Sequence, residues 1–187
     1  MIVVFDFDKT LTYKDSLAEL FKERLNLFTW ICYFSLRVGS KIGLISVTRE
    51  KLVMIKILFG ADEVRFKSAC VEQASQIKLT PVIDILKQHL LHKDRVIVLS
   101  ASAKYLLEEV FKGCNIEIIG TEFLVEDGKI IKIAQHPFKK EKLKVLKDNN
   151  VTDIDDEYFD SYHDECLKSI TKNWHRVKDG VVVESKC

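Results

Sequence analysis

The sequence lacks a long apolar run, an excess of one charge and any close pair of cysteines. Its most apolar stretch, residues 25–36, is followed by Arg37 and Lys41, well before the roughly 20 apolar residues that a membrane-spanning helix needs. The net charge of +1 gives no reason to expect a nucleic-acid partner. The five cysteines are an odd number without a CxxC pair, which favours free thiols over disulfides or a zinc site.

Prolines and glycines are also scarce, at two and seven of 187 residues, whereas 47% of the residues are hydrophobic. This composition argues against a disordered chain and predicts a domain with a sizeable core. No cluster of positive charge precedes the first apolar run, so we expect no secretory signal peptide and predict a cytoplasmic location.

Short apolar segments alternate with helical patterns in the second half of the chain, with strand-like segments at residues 94–102 and 115–120. This alternation predicts an α/β fold with three layers, in which a Rossmann-like, mainly parallel sheet is covered on both faces by helices. Helical patterns interrupt the alternation directly after the first strand. We therefore predict a catalytic core made of residues 1–13 and 80–187, and an inserted helical cap made of residues 14–79.

The first twelve residues, MIVVFDFDKTLT, place two aspartates one residue apart at the end of an apolar strand. The carboxylates of Asp6 and Asp8 repel each other, and each is costly to bury without a partner. We infer that a positive group lies between them, or that one of them takes part in a reaction.

Other polar residues follow later strands. Ser100 ends the segment VIVLS, and Asp160 and Asp164 follow the strand that ends at Phe159. Ligands of open parallel sheets bind beyond the carboxyl ends of the strands. If these strands are neighbours, one crevice gathers four carboxylates and a hydroxyl group, and hard oxygen ligands of this kind suit Mg²⁺.

Four motifs in this order resemble those of the haloacid dehalogenase superfamily: DFDKT, VIVLS, a lysine in KKEKLKVL, and the spaced aspartates of DSYHD. The insertion after the first motif resembles the helical C1 cap of its phosphoserine phosphatase-like subfamily IB. The apolar cap and the chain end resemble phosphatidylglycerophosphatase C-like members of that subfamily.

The resemblance implies roles for the first two motifs. Asp6 attacks phosphorus and becomes an aspartyl phosphate, while Asp8 protonates the leaving oxygen and then activates water. The phosphate oxygens are held by Thr10 and Ser100, together with backbone N–H groups near Phe7 and Ala101.

The resemblance also implies a cofactor, Mg²⁺, with Asp6, Asp160 and the backbone carbonyl of Asp8 as ligands. Asp164 supports the water shell of the metal. Positioning and charge neutralisation by such groups account for most catalysis of phosphoryl transfer.

The lysine of the third motif neutralises the charge of the nucleophile and the phosphoryl group. The sequence offers Lys139, Lys140 and Lys142. Many relatives have this lysine four residues before a leucine, and Lys142 with Leu146 matches that spacing, so Lys142 is preferred.

The expected function is that of a phosphatase acting on a small soluble phosphorylated metabolite. Candidates are a phospho-amino acid, a sugar phosphate or a polyol phosphate, including one used in surface-glycan synthesis. One alternative is a membrane-associated phosphatase of a lipid headgroup such as phosphatidylglycerophosphate. Another is a catalytically silent binding module, against which the intact Asp6, Asp8 and Asp160 argue.

The predicted cap is basic and apolar. Residues 22–60 contain seven Lys or Arg and two Glu, a net charge of +5. This balance suits a substrate with further anionic groups, or a peripheral contact with an anionic membrane. The aromatic residues of the cap are expected to form its core, with a lipid contact as the alternative: Phe28, Trp30, Tyr33 and Phe34. The oligomeric state is left open.

Overall fold

The fold is known from a computed structural model, which describes residues 1–186. Within residues 1–186, seven strands form one sheet: Ile2–Phe5 (β1), Arg95–Ala103 (β2), Glu117–Glu126 (β3), Lys129–Gln135 (β4), Ile154–Phe159 (β5), Thr171–Lys178 (β6) and Val181–Lys186 (β7). Their order in the sheet is β4-β3-β2-β1-β5-β6-β7. The five central strands are parallel, and only the edge strands β4 and β7 pair antiparallel. The predicted α/β fold with a mainly parallel sheet is confirmed.

The first strand lies at the centre of the sheet, between β2 and β5. Phe5 pairs with Val98 on one side and with Tyr158 on the other. The carboxyl ends of these three strands therefore meet at one edge, because parallel strands all end on the same side of a sheet. This arrangement brings together the segments that carry the predicted site residues.

The part of the chain that the structure describes contains seven α-helices that accompany the sheet. Four lie between β1 and β2, with bounds Ser16–Lys22 (α1), Leu27–Lys41 (α2), Val47–Phe59 (α3) and Glu63–Gln76 (α4). The others are Val82–Leu91 (α5), Lys104–Val110 (α6) and Glu141–Asp148 (α7). One face of the sheet packs against α5 and α6, and the opposite face packs against α7. These contacts form the three predicted layers.

The inserted helices share the larger hydrophobic core with the sheet. Met54 on α3 and Phe66 on α4 belong to the same buried cluster as Phe5 on β1. The turn between α3 and α4 is also tied to the β3–β4 hairpin, since Ile130 donates its N–H to the carbonyl of Ala61 at 2.7 Å. The division into a core and a cap of residues 14–79 remains a prediction.

Helix α2 differs from the other inserted helices because it packs chiefly against α3 and presents its outer face to solvent. The expectation that its aromatic residues form a core is wrong for Phe28, Trp30 and Phe34, which are exposed. Only Tyr33 packs partly against the main cluster. Within residues 1–186, no helix combines the length and hydropathy needed to cross a bilayer.

Candidate active site

The loop after β1 is held in a fixed turn. Asp6 donates its N–H to the carbonyl of Tyr158 at 2.9 Å, which extends the pairing with β5 by one residue. Lys9 then adopts a left-handed conformation with φ of 62° and donates its N–H to Thr12 Oγ1 at 3.2 Å. The turn places Asp6 and Asp8 at the carboxyl edge of the sheet, where both line a crevice.

A buried ion-pair network lies at the centre of this edge of the sheet. Lys142 Nζ, from the first turn of α7, donates to Asp6 Oδ1 at 2.8 Å and also contacts Asp164. All three residues are less than a tenth exposed. The structure thus brings Lys142 to Asp6, whereas Lys139 and Lys140 are exposed at the start of the helix.

In this network, burial and the oppositely charged neighbours shift the pKa of each group in opposite directions. Burial raises the pKa of Asp6 well above its usual range, although the ammonium group of Lys142 acts in the opposite direction. Burial alone would lower the pKa of Lys142, but the carboxylates of Asp6 and Asp164 outweigh it and raise that pKa overall. Lys142 is therefore a permanent positive charge beside Asp6.

A third carboxylate completes an acidic cluster. Carboxylate oxygens of Asp6, Asp160 and Asp164 all lie within 4.8 Å of one another. Burial and the nearby Asp164 raise the pKa of Asp160. One ammonium group against three carboxylates leaves negative charge uncompensated, and the donors are hard oxygens only, so the cluster fits Mg²⁺. The predicted ligands Asp6 and Asp160 are thus brought together, with Asp164 beside them.

Asp8 points away from this cluster and is held by two serines. Its Oδ1 accepts the backbone N–H of Ser16 at 2.8 Å, and its Oδ2 accepts the hydroxyl of Ser102 at 2.7 Å. The two serine hydroxyls lie 2.7 Å apart. Burial, followed by the negative charge of Asp15, raises the pKa of Asp8 to about 6. A carboxyl group with this pKa can both give and take a proton near neutral pH.

The predicted phosphate-binding residues are divided between the crevice and the core. Ser100 and Ala101 line the crevice, and Ser100 Oγ accepts the N–H of Ser102 at 3.0 Å. Phe7 and Thr10 are fully buried behind it. The Thr10 hydroxyl has no hydrogen-bond partner within residues 1–186. The role of these four residues in phosphate binding remains a prediction.

The crevice has a volume of about 300 Å³ and gathers basic side chains as well as carboxylates. Lys9, Arg37 and Lys51 line it together with the acidic cluster. Lys51 Nζ donates to the carbonyl of Ala101 at 2.8 Å, and Arg37 pairs with Glu50 at 3.2 Å. Part of the excess positive charge of the predicted cap is therefore directed at the site.

Ser16, Ser102 and Lys51 lie at the site but are not among the predicted site residues. A weak signal existed for Ser102, which follows Ser100 by two residues and so shares its side of the strand. Ser16 and Lys51 depend on where α1 and α3 dock, and no local pattern encodes that position.

A larger cavity, about 390 Å³, lies beside α1 and α4 and is lined by residues such as Glu19 and Gln73. It contains neither Asp6 nor the other members of the acidic cluster. Chemical composition, rather than size, therefore identifies the crevice as the candidate site.

These features define an α/β domain with a buried, acidic site at the carboxyl edge of its sheet. Residues 3–164 match the family model described as haloacid dehalogenase-like hydrolase. The chain belongs to this family, which confirms the predicted superfamily and the expectation of a hydrolase.

Solved structures show the same fold. A protein of unknown function from Bordetella pertussis Tohama I matches with a TM-score of 0.72 and 18% identity, over 90% of this chain and 85% of that chain. Phosphoserine phosphatase from T. onnurineus matches with a TM-score of 0.59 and 22% identity, over 92% and 81% of the two chains. A phospho-aspartyl intermediate analogue of phosphoserine phosphatase gives 0.59 and 16%, over 95% and 87%. No curated protein matches the sequence.

Proposed function

We propose that this protein is a Mg²⁺-dependent phosphomonoester hydrolase that forms an aspartyl phosphate on Asp6. The observation that carries the proposal is the buried Asp6 carboxylate, paired with Lys142 and adjacent to Asp160 and Asp164. A carboxylate in this position is available as a nucleophile, and the ammonium group lowers the repulsion between it and an incoming phosphate. Family membership supports the same chemistry.

The reaction proceeds in two displacements. An oxygen of Asp6 attacks phosphorus, and the bond from phosphorus to the leaving oxygen breaks while Asp8 gives that oxygen its proton. Asp8 then takes a proton from water, whose oxygen attacks phosphorus and releases Asp6 and inorganic phosphate. The pKa of about 6 suits Asp8 to both steps.

Asp6 and Asp160 would hold Mg²⁺, with Asp164 beside them. The ion would supply positive charge to the phosphoryl oxygens. Lys142, which contacts both Asp6 and Asp164, supplies a second positive charge beside the Asp6 carboxylate. Ser100 and Ala101 are proposed to orient the phosphate at the end of β2.

The proposed substrate is a small phosphorylated metabolite. A crevice of about 300 Å³ is at the lower end of ligand-binding cavities. Its basic side chains, Lys9, Arg37 and Lys51, favour a substrate that carries an anionic group in addition to the scissile phosphate. A phospho-amino acid, which also carries a carboxylate, meets both conditions, as does a sugar phosphate that bears a second acidic group.

A second candidate is the phosphate of a lipid headgroup, such as that of phosphatidylglycerophosphate. The observation that favours it is the exposed apolar face of α2, the helix that also contributes Arg37 to the crevice. A lipid substrate would need its headgroup in the crevice and its acyl chains outside.

Hydrolysis of an aryl phosphate, followed by a screen of phosphomonoesters, tests the proposal. Activity should require Mg²⁺ and disappear in chelator, because Lys142 alone then faces three carboxylates and the remaining negative charge repels the phosphate. Activity that is equal in chelator would remove the metal from the proposal. An absence of hydrolysis with every phosphomonoester and with lipid vesicles would favour a silent binding module.

A further inference from the structure

The outer face of α2 is apolar along its whole length. Leu27, Ile31, Phe34 and Val38 recur at intervals of four, three and four residues, which places them on one side of a helix. Three of them are strongly exposed, Leu27 at 81%, Ile31 at 54% and Phe34 at 57%. The opposite side of α2 already packs on the protein through Tyr33 and Leu36.

The same surface extends beyond the helix and includes an aromatic pair. Trp30 stacks on Phe34 with ring centroids 5.6 Å apart, and the loop after α2 exposes Ile42 and Leu44. So many exposed apolar side chains on one helix and the loop that follows it mark an interaction site on a water-exposed domain. We call these residues the α2 face: Leu27, Phe28, Trp30, Ile31, Phe34, Val38, Ile42 and Leu44.

The charged residues near the α2 face indicate what kind of partner this surface binds. Between Asn26 and Arg49 the chain contains no acidic residue, and it carries the bases Lys41 and Arg49 as well as Arg37, which pairs with Glu50. A second copy of the chain would offer no carboxylate from this segment to pair with these bases. An anionic lipid surface supplies both an apolar interior for the side chains and negative charge for the bases.

We propose that the α2 face docks this protein on the surface of an anionic lipid bilayer. With 15 residues, α2 is about 22 Å long, shorter than the roughly 30 Å hydrocarbon core of a bilayer. It therefore lies in the interface, with Trp30 at the headgroup level, where aromatic side chains are favoured. Arg37 lines the crevice, so docking brings the mouth of the crevice close to the lipid headgroups.

Co-sedimentation with vesicles tests the proposal. The protein should bind vesicles of equal parts phosphatidylcholine and phosphatidylglycerol, and bind pure phosphatidylcholine far more weakly. Binding should weaken with salt, because the Debye length falls from about 10 Å at 0.1 M to about 3 Å at 1 M. In a Trp174→Phe protein, the fluorescence of Trp30 should shift to shorter wavelength on binding.

Two variants and a matched control locate the contact. Ile31→Glu with Phe34→Glu should weaken vesicle binding by about a hundredfold or more, since two apolar side chains are replaced by anions. Lys41→Gln should weaken it about fivefold, as expected for one basic residue near an anionic surface. Val64→Glu with Leu91→Glu changes two apolar residues outside the α2 face that are even more exposed, and it should have little effect.

Failure of the docking proposal can be distinguished from failure of the proposed phosphatase function. Aryl phosphate hydrolysis by the Ile31→Glu, Phe34→Glu protein should equal that of the unmodified protein, and Asp6→Asn should bind vesicles normally. Equal sedimentation with both kinds of vesicle, or with neither, would overturn the proposal. So would a dimer in sedimentation velocity that the double substitution dissociates, because the α2 face would then be a self-interface.

Discussion

Replacing Lys142 by methionine tests the electrostatics of the site most directly. Methionine keeps an unbranched, apolar side chain but removes the ammonium group that contacts Asp6 and Asp164. Removing one partner of a buried ion pair costs about 3–5 kcal/mol, since the other charge stays buried without compensation. This loss is a large part of the roughly 5–15 kcal/mol by which a typical domain is stable.

The expected loss is measurable by thermal unfolding in the presence of chelator. For a chain of this length, 1 kcal/mol corresponds to about 2–4 °C in melting temperature. Lys142→Met should therefore melt about 6–20 °C below the unmodified protein. Excess Mg²⁺ should recover part of the difference, because a cation bound by Asp6 and Asp160 compensates the same carboxylates.

Lys144→Met provides the matched control, because Lys144 lies on the same helix with an exposed side chain. It should change the melting temperature by no more than a few degrees in either condition. If Lys142→Met is no less stable than Lys144→Met in chelator, or if Mg²⁺ stabilises both variants equally, the argument that Lys142 and a metal share the neutralisation of Asp6 is refuted.

Four further predictions concern the site and its support. Asp6→Asn should abolish turnover while the protein stays folded by circular dichroism, because an amide cannot attack phosphorus; substantial remaining activity would exclude Asp6 as the nucleophile. Asp8→Asn should reduce hydrolysis of alkyl phosphates far more than that of aryl phosphates, whose leaving groups need no proton; equal losses would argue against a general acid. In chelator, the stability of the unmodified protein relative to Asp8→Asn should fall as the pH rises from about 4 to about 7, since the folded pKa of Asp8, about 6, lies above the unfolded value near 4. The folded state binds this proton more tightly, and about two pKa units correspond to roughly 3 kcal/mol in urea unfolding; a difference between the two proteins that does not change with pH would contradict the burial argument. Gly120→Ala should destabilise by about 1–3 kcal/mol, because its Cβ would lie 2.9 Å from the Cα of Lys104 on α6; unchanged urea unfolding would show that α6 can shift.

The apolar strands and the aspartates that follow them were predictable because each depends on a short stretch of sequence. The segment before Asp6 reads as a buried strand, and a parallel sheet brings the ends of its strands together. The position of Lys142 was also accessible, since the phase of an amphipathic helix turns Lys142, Val145 and Leu146 inward together.

The environment of α2 was not predictable in the same way. A helix that is apolar on all sides has no periodic signal to say which side meets the protein. The docking of α2 chiefly on α3, with its outer face left uncovered, decides that Phe28 and Trp30 are exposed. The hydrogen bonds of Asp8 were also not predictable, because Asp8 accepts them from Ser16 and Ser102, which are 86 residues apart in the chain.

The link between the α3–α4 turn and the β3–β4 hairpin restricts how the crevice can open. Besides the bond from Ile130 to Ala61, Glu63 donates its N–H to the carbonyl of Gly128 at 3.0 Å and accepts the hydroxyl of Tyr105 at 2.7 Å. The inserted helices are thus anchored at a third point as well as at their two ends, so they cannot swing away as one rigid body. Helix α2 makes none of these contacts, so a shift of α2 against α3 would break the pairing of Arg37 with Glu50 and move Arg37 away from the crevice without moving Asp6 or Lys142.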